Sequence, residues 1–263
     1  MTDVRVGIGG WSFPPWRGTF YPEGLAQKRE LEFASRAVTA IEINATYHGS
    51  QKPASFANWA KTAPEDFVFA VKGSRYVTNR KVLREAGESV QRFLDQGLVE
   101  LGDKLGPILW QFMATKKFEP EDFAAFLRLL PAKHDGIALR HAVQVRHESF
   151  AVPEFVALAR DAGVAIVFAD SARYPAIADV TADFVYARLE AAEEAEPQGY
   201  APAALDRWAE AAKTWAAGSV PEGLPYVDAT PPPRVPRETF VFCINGAKVR
   251  APAAAQALIA RLG

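Results

Sequence analysis

Short apolar, β-rich runs alternate with longer helical stretches along the whole chain. The runs are Val4–Gly9, Val38–Asn44, Phe67–Lys72, Ile108–Phe112, Ala142–Arg146, Ala165–Asp170, Phe184–Arg188 and Phe240–Asn245. Between them, Leu25–Arg36, Ser55–Lys61, Glu88–Leu101, Pro120–Leu130, Pro153–Ala162 and Ala203–Ala217 read as helices. Leu94, Leu98 and Leu101 recur at helical spacing, as do Phe123, Phe126 and Leu127. Strands that alternate with helices pair in parallel through crossover connections. Eight of them in 263 residues predict an α/β fold, a single (β/α)8 TIM-like barrel over residues 1–263. A doubly wound open sheet is the rival.

The strand ends favour the barrel. Glu42 and Asn44, Lys72, Gln111, Arg146, Asp170, Arg188 and Asn245 close the runs. Two residues earlier, on the same strand face, stand Ala70, Leu109, Phe168, Tyr186 and Cys243. Strand five departs, because Gln144 already lies one step below Arg146. An apolar interior capped by a polar rim at the C-terminal end is where such barrels place their sites. An open sheet gathers its polar ends near one switch point. Within Ile41–His48, Glu42 and Asn44 share a face, and burying a carboxylate and an amide is costly unless they are paired or face a wet cavity.

Composition narrows the function classes. The chain is 49% hydrophobic and 23% charged, as suits a folded core. With 30 basic and 31 acidic residues the net charge is −1, which weakens the case for a dedicated nucleic-acid binder. One cysteine, Cys243, excludes an intramolecular disulfide and a cysteine-based zinc site. Met1–Gly10 lacks the basic start and apolar run of a signal peptide, and no stretch approaches the roughly 18 apolar residues that a spanning helix needs. The expectation is a cytoplasmic protein with no membrane partner. Ala191–Gln198 reads as an acidic surface loop. Residues 219–237 contain six prolines and read as an extended excursion before strand eight.

On physical grounds the strongest feature is the trio Lys72, Arg146 and Arg188. Three cations at one rim repel unless they are interleaved with acids or bind an anion, and arginine's planar fork suits carboxylate or phosphate. The bland alternative is a structural network in which Glu42, Asp170 and Glu190 pair with them. Glu42 and Asp170 are the candidate acid/base pair, with Glu190 a third carboxylate. Asn44, Gln111 and Asn245 would orient a ligand, and Trp11 and Tyr47 could stack a base or sugar ring. A metal site from His48, His147, Glu42, Asp170 and Glu190 is the sharper alternative, but four histidines without metal-ligand spacing argue against it. Gly7-Ile8-Gly9-Gly10 is too short for a dinucleotide fingerprint, and no Walker or Gly-x-Ser-x-Gly motif occurs. No cofactor and no metal are expected.

Several stretches carry a family likeness. Gly10-Trp11-Ser12, Trp16-Arg17-Gly18-Thr19-Phe20-Tyr21-Pro22 and Glu42-Ile43-Asn44-Ala45-Thr46-Tyr47 resemble the YecE-like family (domain of unknown function seventy-two). So do Val71-Lys72 with Arg75, Leu109-Trp110-Gln111, Arg146-His147-Glu148-Ser149-Phe150, Asp170, Arg188-Leu189 and Asn245. The resemblance covers nearly the whole chain. It implies a TIM-like barrel of unassigned biochemical role, distantly like the endonuclease IV and xylose isomerase barrels, and it adds Arg75 and His147 to the candidate binding residues. The chain departs from the family pattern at four places. Asn79 stands where relatives carry His, Gln144 where they carry Glu, Glu190-Ala191 where they carry His-Gly, and Gly246 where they carry a second Asn.

The resulting expectation is a barrel that binds, and by carboxylate acid/base chemistry transforms, a small anionic sugar- or nucleotide-like ligand. The alternatives are a non-catalytic ligand- or nucleic-acid-binding barrel and a metal-dependent endonuclease IV-like phosphoesterase.

Overall fold

Val, Ile and Phe alternate with small or polar residues in eight places, and each becomes a stave of one parallel ring in the computed structural model, which describes residues 4–263. Three residues of the opening Met1–Gly10 stretch therefore lie outside the description. The staves are β1 Val4–Gly9, β2 Ala40–Ile43, β3 Val68–Lys72, β4 Leu105–Gln111 and β5 His141–Gln144. They continue with β6 in two pieces, Ala165–Ile166 and Phe168–Asp170, then β7 Phe184–Leu189 and β8 Glu238–Cys243. Neighbours in sequence are neighbours in the ring, and β1 pairs with β8. The ring closes through β6, whose first piece pairs with β5 and whose second pairs with β7. This is the (β/α)8 barrel the strand count predicts, and the open sheet is set aside.

Helices α1 Glu30–Ala37, α2 Ala45–His48, α3 Pro53–Thr62, α4 Arg75–Thr78, α5 Gly87–Leu94, α6 Pro120–Leu127, α7 Pro153–Asp161, α8 Pro202–Ala216 and α9 Ala251–Leu262 surround it. Four of them open on proline, whose fixed φ and missing amide proton suit the first helical position. The predicted Glu88–Leu101 helix is two elements. Gly97, at φ 105°, turns the chain after α5 into the 3-10 segment Leu98–Lys104. The connection between β6 and β7 contains no helix, so residues 171–183 run as open chain.

Alternation fills the barrel. Ala40, Val68, Ala70, Leu109, Ala142, Ala165, Val167, Phe184, Tyr186, Phe240, Phe242 and Ile244 form a dry interior plug. Gly7 makes room for it, because a Cβ there would lie 2.3 Å from the Ala40 carbonyl oxygen and 2.8 Å from the Phe242 ring. The opposite faces of the staves meet the helices in a larger outer core. Phe168 and Cys243 belong to that outer core, and Phe168 packs on Trp208 and Trp215 of α8. The two-residue stepping that set them inside the barrel is therefore corrected, and Asp170, two residues after Phe168, starts from the outer face.

The proline-rich 219–237 excursion is held down by backbone contacts. The buried Asp179 carboxylate accepts from the amides of Val227 at 2.8 Å and Asp228 at 3.0 Å, and the Ala178 amide donates to the Pro225 carbonyl at 2.9 Å. No helix among the described residues is long and apolar enough to cross a membrane.

Candidate functional site

Inward-facing positions one step above the apolar plug carry Glu42, Lys72, Gln111, Gln144 and Arg188, with Arg188 at the centre. Its guanidinium is buried and donates from Nε to Glu42 Oε2 and from Nη2 to Glu42 Oε1, both at 3.1 Å. Nη1 donates to Gln144 Oε1 at 2.6 Å and to Glu190 Oε1 at 2.7 Å. The Tyr186 hydroxyl donates to Glu42 Oε2 at 2.7 Å, Gln111 Nε2 to Gln144 Oε1 at 2.7 Å, and Gln144 Nε2 to Glu190 Oε1 at 3.0 Å. Burial alone would depress the Arg188 guanidinium, but Glu42 and Glu190 carry it above its ordinary value. Burial, then the neighbouring Glu42 charge, pushes the Tyr186 phenol well up, so it remains a donor.

Above this network lies a cavity of ≈660 Å³ lined by Asn44, Lys72, Gln111, Arg146, Arg188, Glu190 and Asn245, among others. Five cationic side chains (Lys72, Arg146, Arg173, Arg188 and Lys248) share the lining with one carboxylate, Glu190. Arg188 is fully engaged by acids; Arg146 is not. Its Nη2 approaches Glu190 Oε1 only to 3.8 Å, its buried Nε has no hydrogen-bond partner among the described residues, and its plane lies 4.5 Å over the Tyr174 ring. Burial holds this guanidinium below its usual value, Glu190 opposes the shift, and Arg188 reinforces it. Lys72 stands 4.4 Å over the Tyr47 ring. Burial brings its ammonium down to about 8, against the pull of Glu42 and with the push of Arg188 and Arg146.

Most of the other residues singled out by sequence are placed elsewhere. Asp170 accepts from the Tyr200 hydroxyl at 3.2 Å and shares no hydrogen-bond partner with Glu42. Burial raises its carboxyl pKa, Tyr200 opposes this, and Glu190 adds to it. Trp11 packs edge-on against Trp59 and Phe69 of the outer core. Arg75 lies beside the exposed Tyr76 on α4, with Asn79 at the end of that helix. The His147 ring Nδ1 accepts from the Ser149 amide at 3.1 Å and so caps the short segment Glu148–Phe150. His48 lines the cavity, but among the described residues no three His, Cys, Asp or Glu side chains are grouped to hold a metal ion.

Sequence reasoning missed Ser171, Arg173, Tyr174 and Lys248. The first three belong to the helix-free connection after β6, and the available signal was their place in a loop at the C-terminal end of a barrel strand. Lys248 is fixed by a distant residue, because its carbonyl accepts from Trp16 Nε1 at 3.0 Å. Trp16 of the Trp-Arg stretch thus lines the cavity and fixes its neighbour Lys248. Ser12 and Arg17 both donate to the buried Glu30, at 2.8 Å each.

Residues 5–263 match the family model described as "Protein of unknown function DUF72". The chain belongs to the DUF72 family. It is 26% identical over 157 residues to UPF0759 protein YunF of Bacillus subtilis (strain 168), a match covering 58% of this chain and 54% of that relative. The chain therefore aligns with about half the length of this curated relative. A DUF72 family crystal structure from Thermotoga maritima MSB8 is similar at TM-score 0.72 and 25% identity, over 97% of this chain and 96% of that one. SacUVDE shares the fold at TM-score 0.53 and 12% identity, over 98% of both chains.

Two residues of this DUF72 chain, Gln144 and Glu190, are physically coupled. The Gln144 amide Nε2 donates to Glu190 Oε1 at 3.0 Å. A carboxylate at 144 would face Glu190 across that 3.0 Å contact and repel it, so the amide at one position accommodates the acid at the other. A second, open groove of ≈1060 Å³ lies beside Asn79, with Arg80, Lys81, Arg84, Lys116 and Lys117 set against Glu119, Glu121, Asp122 and Glu154. Its charges are nearly balanced, and Lys116 is paired with Asp122 at 3.3 Å.

Proposed function

We propose that the mouth of this barrel binds a small anionic, sugar- or nucleotide-like ligand and transforms it by proton transfer. The observation that carries this reading is Arg146, a guanidinium in the cavity lining with no hydrogen bond among the described residues. Charge-assisted hydrogen bonds to carboxylate or phosphate are what such a fork lacks and would gain. Lys72, Arg173 and Lys248 add positive charge around it, and Asn44, Gln111 and Asn245 offer orienting amides. Tyr174, which lines the cavity under Arg146, gives a sugar or base a flat neighbour, whereas Tyr47 is not part of the lining and faces Lys72.

The acid/base roles expected of Glu42 and Asp170 fall, in this proposal, to Glu190. Both Glu42 oxygens are engaged by Arg188 and Tyr186, which makes Glu42 a positioning residue. Asp170 is held by Tyr200 and is not part of the lining. Glu190 has Oε1 anchored by Arg188 and Gln144, while Oε2 has no hydrogen-bond partner among the described residues. A carboxylate anchored through one oxygen and open through the other suits proton transfer to a bound ligand.

The test is a panel of sugar phosphates and nucleoside monophosphates added to untagged protein, with the unfolding temperature and product formation followed. A ligand at a hundred times its Kd stabilises the fold by about 2.7 kcal/mol, a shift of several degrees. At least one member is expected to produce it, and any turnover is expected to vanish in Glu190→Gln. A panel without a stabilising member refutes the reading.

A further inference from the structure

One group in the cavity is arranged as more than a point of positive charge. Lys72 ends β3 on its inward face, above the small Ala70. Its backbone is fixed on both sides, since its carbonyl accepts from Thr46 Oγ1 at 2.7 Å and the following Gly73 amide donates to the Leu109 carbonyl at 2.8 Å. Trp110 presses so closely there that a Cβ on Gly73 would lie 2.3 Å from its ring. The lysine stem therefore rises from a rigid base. Among the described residues its ammonium has no carboxylate within ion-pairing distance and no hydrogen-bond acceptor. It has only the Tyr47 ring face at 4.4 Å.

An ammonium built only to clamp an anion is best kept fully charged, and Arg146 already supplies permanent charge. Lys72 instead loses its proton easily: burial and the two guanidiniums bring it down to about 8. Near neutrality roughly a tenth of it is free amine, against less than about one part in a thousand for an ordinary lysine. A desolvated amine beside other cations is the setting in which lysine attacks carbonyl carbon.

We propose that Lys72 captures a small aldehyde or ketone that also carries a carboxylate or phosphate, with Arg146 holding the anionic group. This rests on the anion-binding reading of the same cavity. The Nζ lone pair adds to the carbonyl carbon and forms a C–N bond. The two amine protons leave with the carbonyl oxygen as water, so amine and carbonyl become imine plus water with no oxidant or reductant. Glu190, the one carboxylate of the lining, carries protons between nitrogen and departing oxygen.

The experiment treats the full chain at pH 7 with glyoxylate and cyanoborohydride and follows carboxymethylation of each lysine by peptide mass spectrometry. Lys72 is expected to react at least ten-fold faster than the exposed Lys52 and Lys61, and Arg146→Gln is expected to remove most of that advantage. With uncharged propionaldehyde the preference for Lys72 is expected to shrink. Lys72 reacting no faster than Lys52 and Lys61 overturns the proposal. Calorimetry with inorganic phosphate separates the two levels of the argument. Phosphate binding without selective trapping refutes carbonyl capture and leaves the anion reading standing, whereas absence of both refutes both.

Discussion

Arg188 grips Glu42 with two parallel contacts of 3.1 Å, wholly inside the barrel. Such a pair is a weak source of net stability, because desolvation offsets much of the attraction, but breaking it leaves a buried charge uncompensated. Glu42→Gln keeps the shape and the Tyr186 contact while removing the charge. It is expected to cost about 3 kcal/mol in a denaturant titration. A loss below about 1 kcal/mol would place Glu42 with surface ion pairs and undo its assignment as a positioning group.

The Gln144–Glu190 contact gives a second expectation. Gln144→Glu sets two carboxylates about 3 Å apart, where both cannot stay ionised. Stability at pH 7 is expected to fall by about 2 kcal/mol, with partial recovery on mild acidification as the pair takes up a proton. Adding Glu190→His, which removes the facing carboxylate, is expected to recover most of the loss. Strictly additive costs in the double variant would show that the two positions are not coupled.

Lys72 gives a pH signature of opposite sense to an ordinary ion-paired lysine. Its folded pKa, about 8, lies below the 10.5 of an unperturbed lysine, so between these values the unfolded chain binds more protons. Stability from this group therefore rises as pH increases from about 8 to 10.5, while below 8 the full cost of burying an ammonium is present. Lys72→Met is expected to raise the denaturant midpoint at pH 7 and to do so much less at pH 10.5. An equal effect at both pH values would show that the lysine is not desolvated.

His141 acts at the other end of the scale. Trp110 Nε1 donates to its Nδ1 at 3.2 Å, which leaves Nε2 as the donor to the Pro131 carbonyl at 2.9 Å and fixes a neutral tautomer. Burial lowers its pKa, the Pro131 contact opposing, so the unfolded chain takes up its proton first on acidification. Stability is expected to fall as pH drops below 6.5, the unperturbed value. His141→Leu is expected to flatten that slope, measured by denaturant midpoints from pH 7 to 5. An unchanged slope would assign the acid sensitivity to other groups.

Period-two alternation made the staves legible, because each inward position is small or apolar until the strand exits into the mouth. It identified Glu42, Lys72, Gln111 and Arg188 as rim groups, and all four lie at the same level of the structure. It misjudged Phe168 and Cys243, because every barrel strand is buried on both faces and apolarity does not distinguish inside from outside. The helix break at Gly97 was unreadable from leucine spacing alone, since Leu98 and Leu101 keep the helical period across it. Arg173, Tyr174 and Lys248 reach the cavity on connections whose course depends on tertiary contacts such as Trp16 with Lys248. The motif aromatics and Ser12 carried the family likeness, yet Ser12 is held by the buried Glu30 and Trp11 by the outer core.

The central claim is that an anion sits in the mouth on Arg146, and calorimetry on two arginine variants tests it most directly. The phosphorylated ligand with the largest stabilising effect is titrated into wild type, Arg146→Gln and Arg84→Gln, the last removing a cation from the outer groove. A charge-assisted hydrogen bond contributes about 1.5–3 kcal/mol, so Arg146→Gln is expected to weaken binding roughly ten- to a hundred-fold while Arg84→Gln leaves it unchanged. Binding that survives Arg146→Gln and falls with Arg84→Gln would move the site to the outer groove and contradict the account.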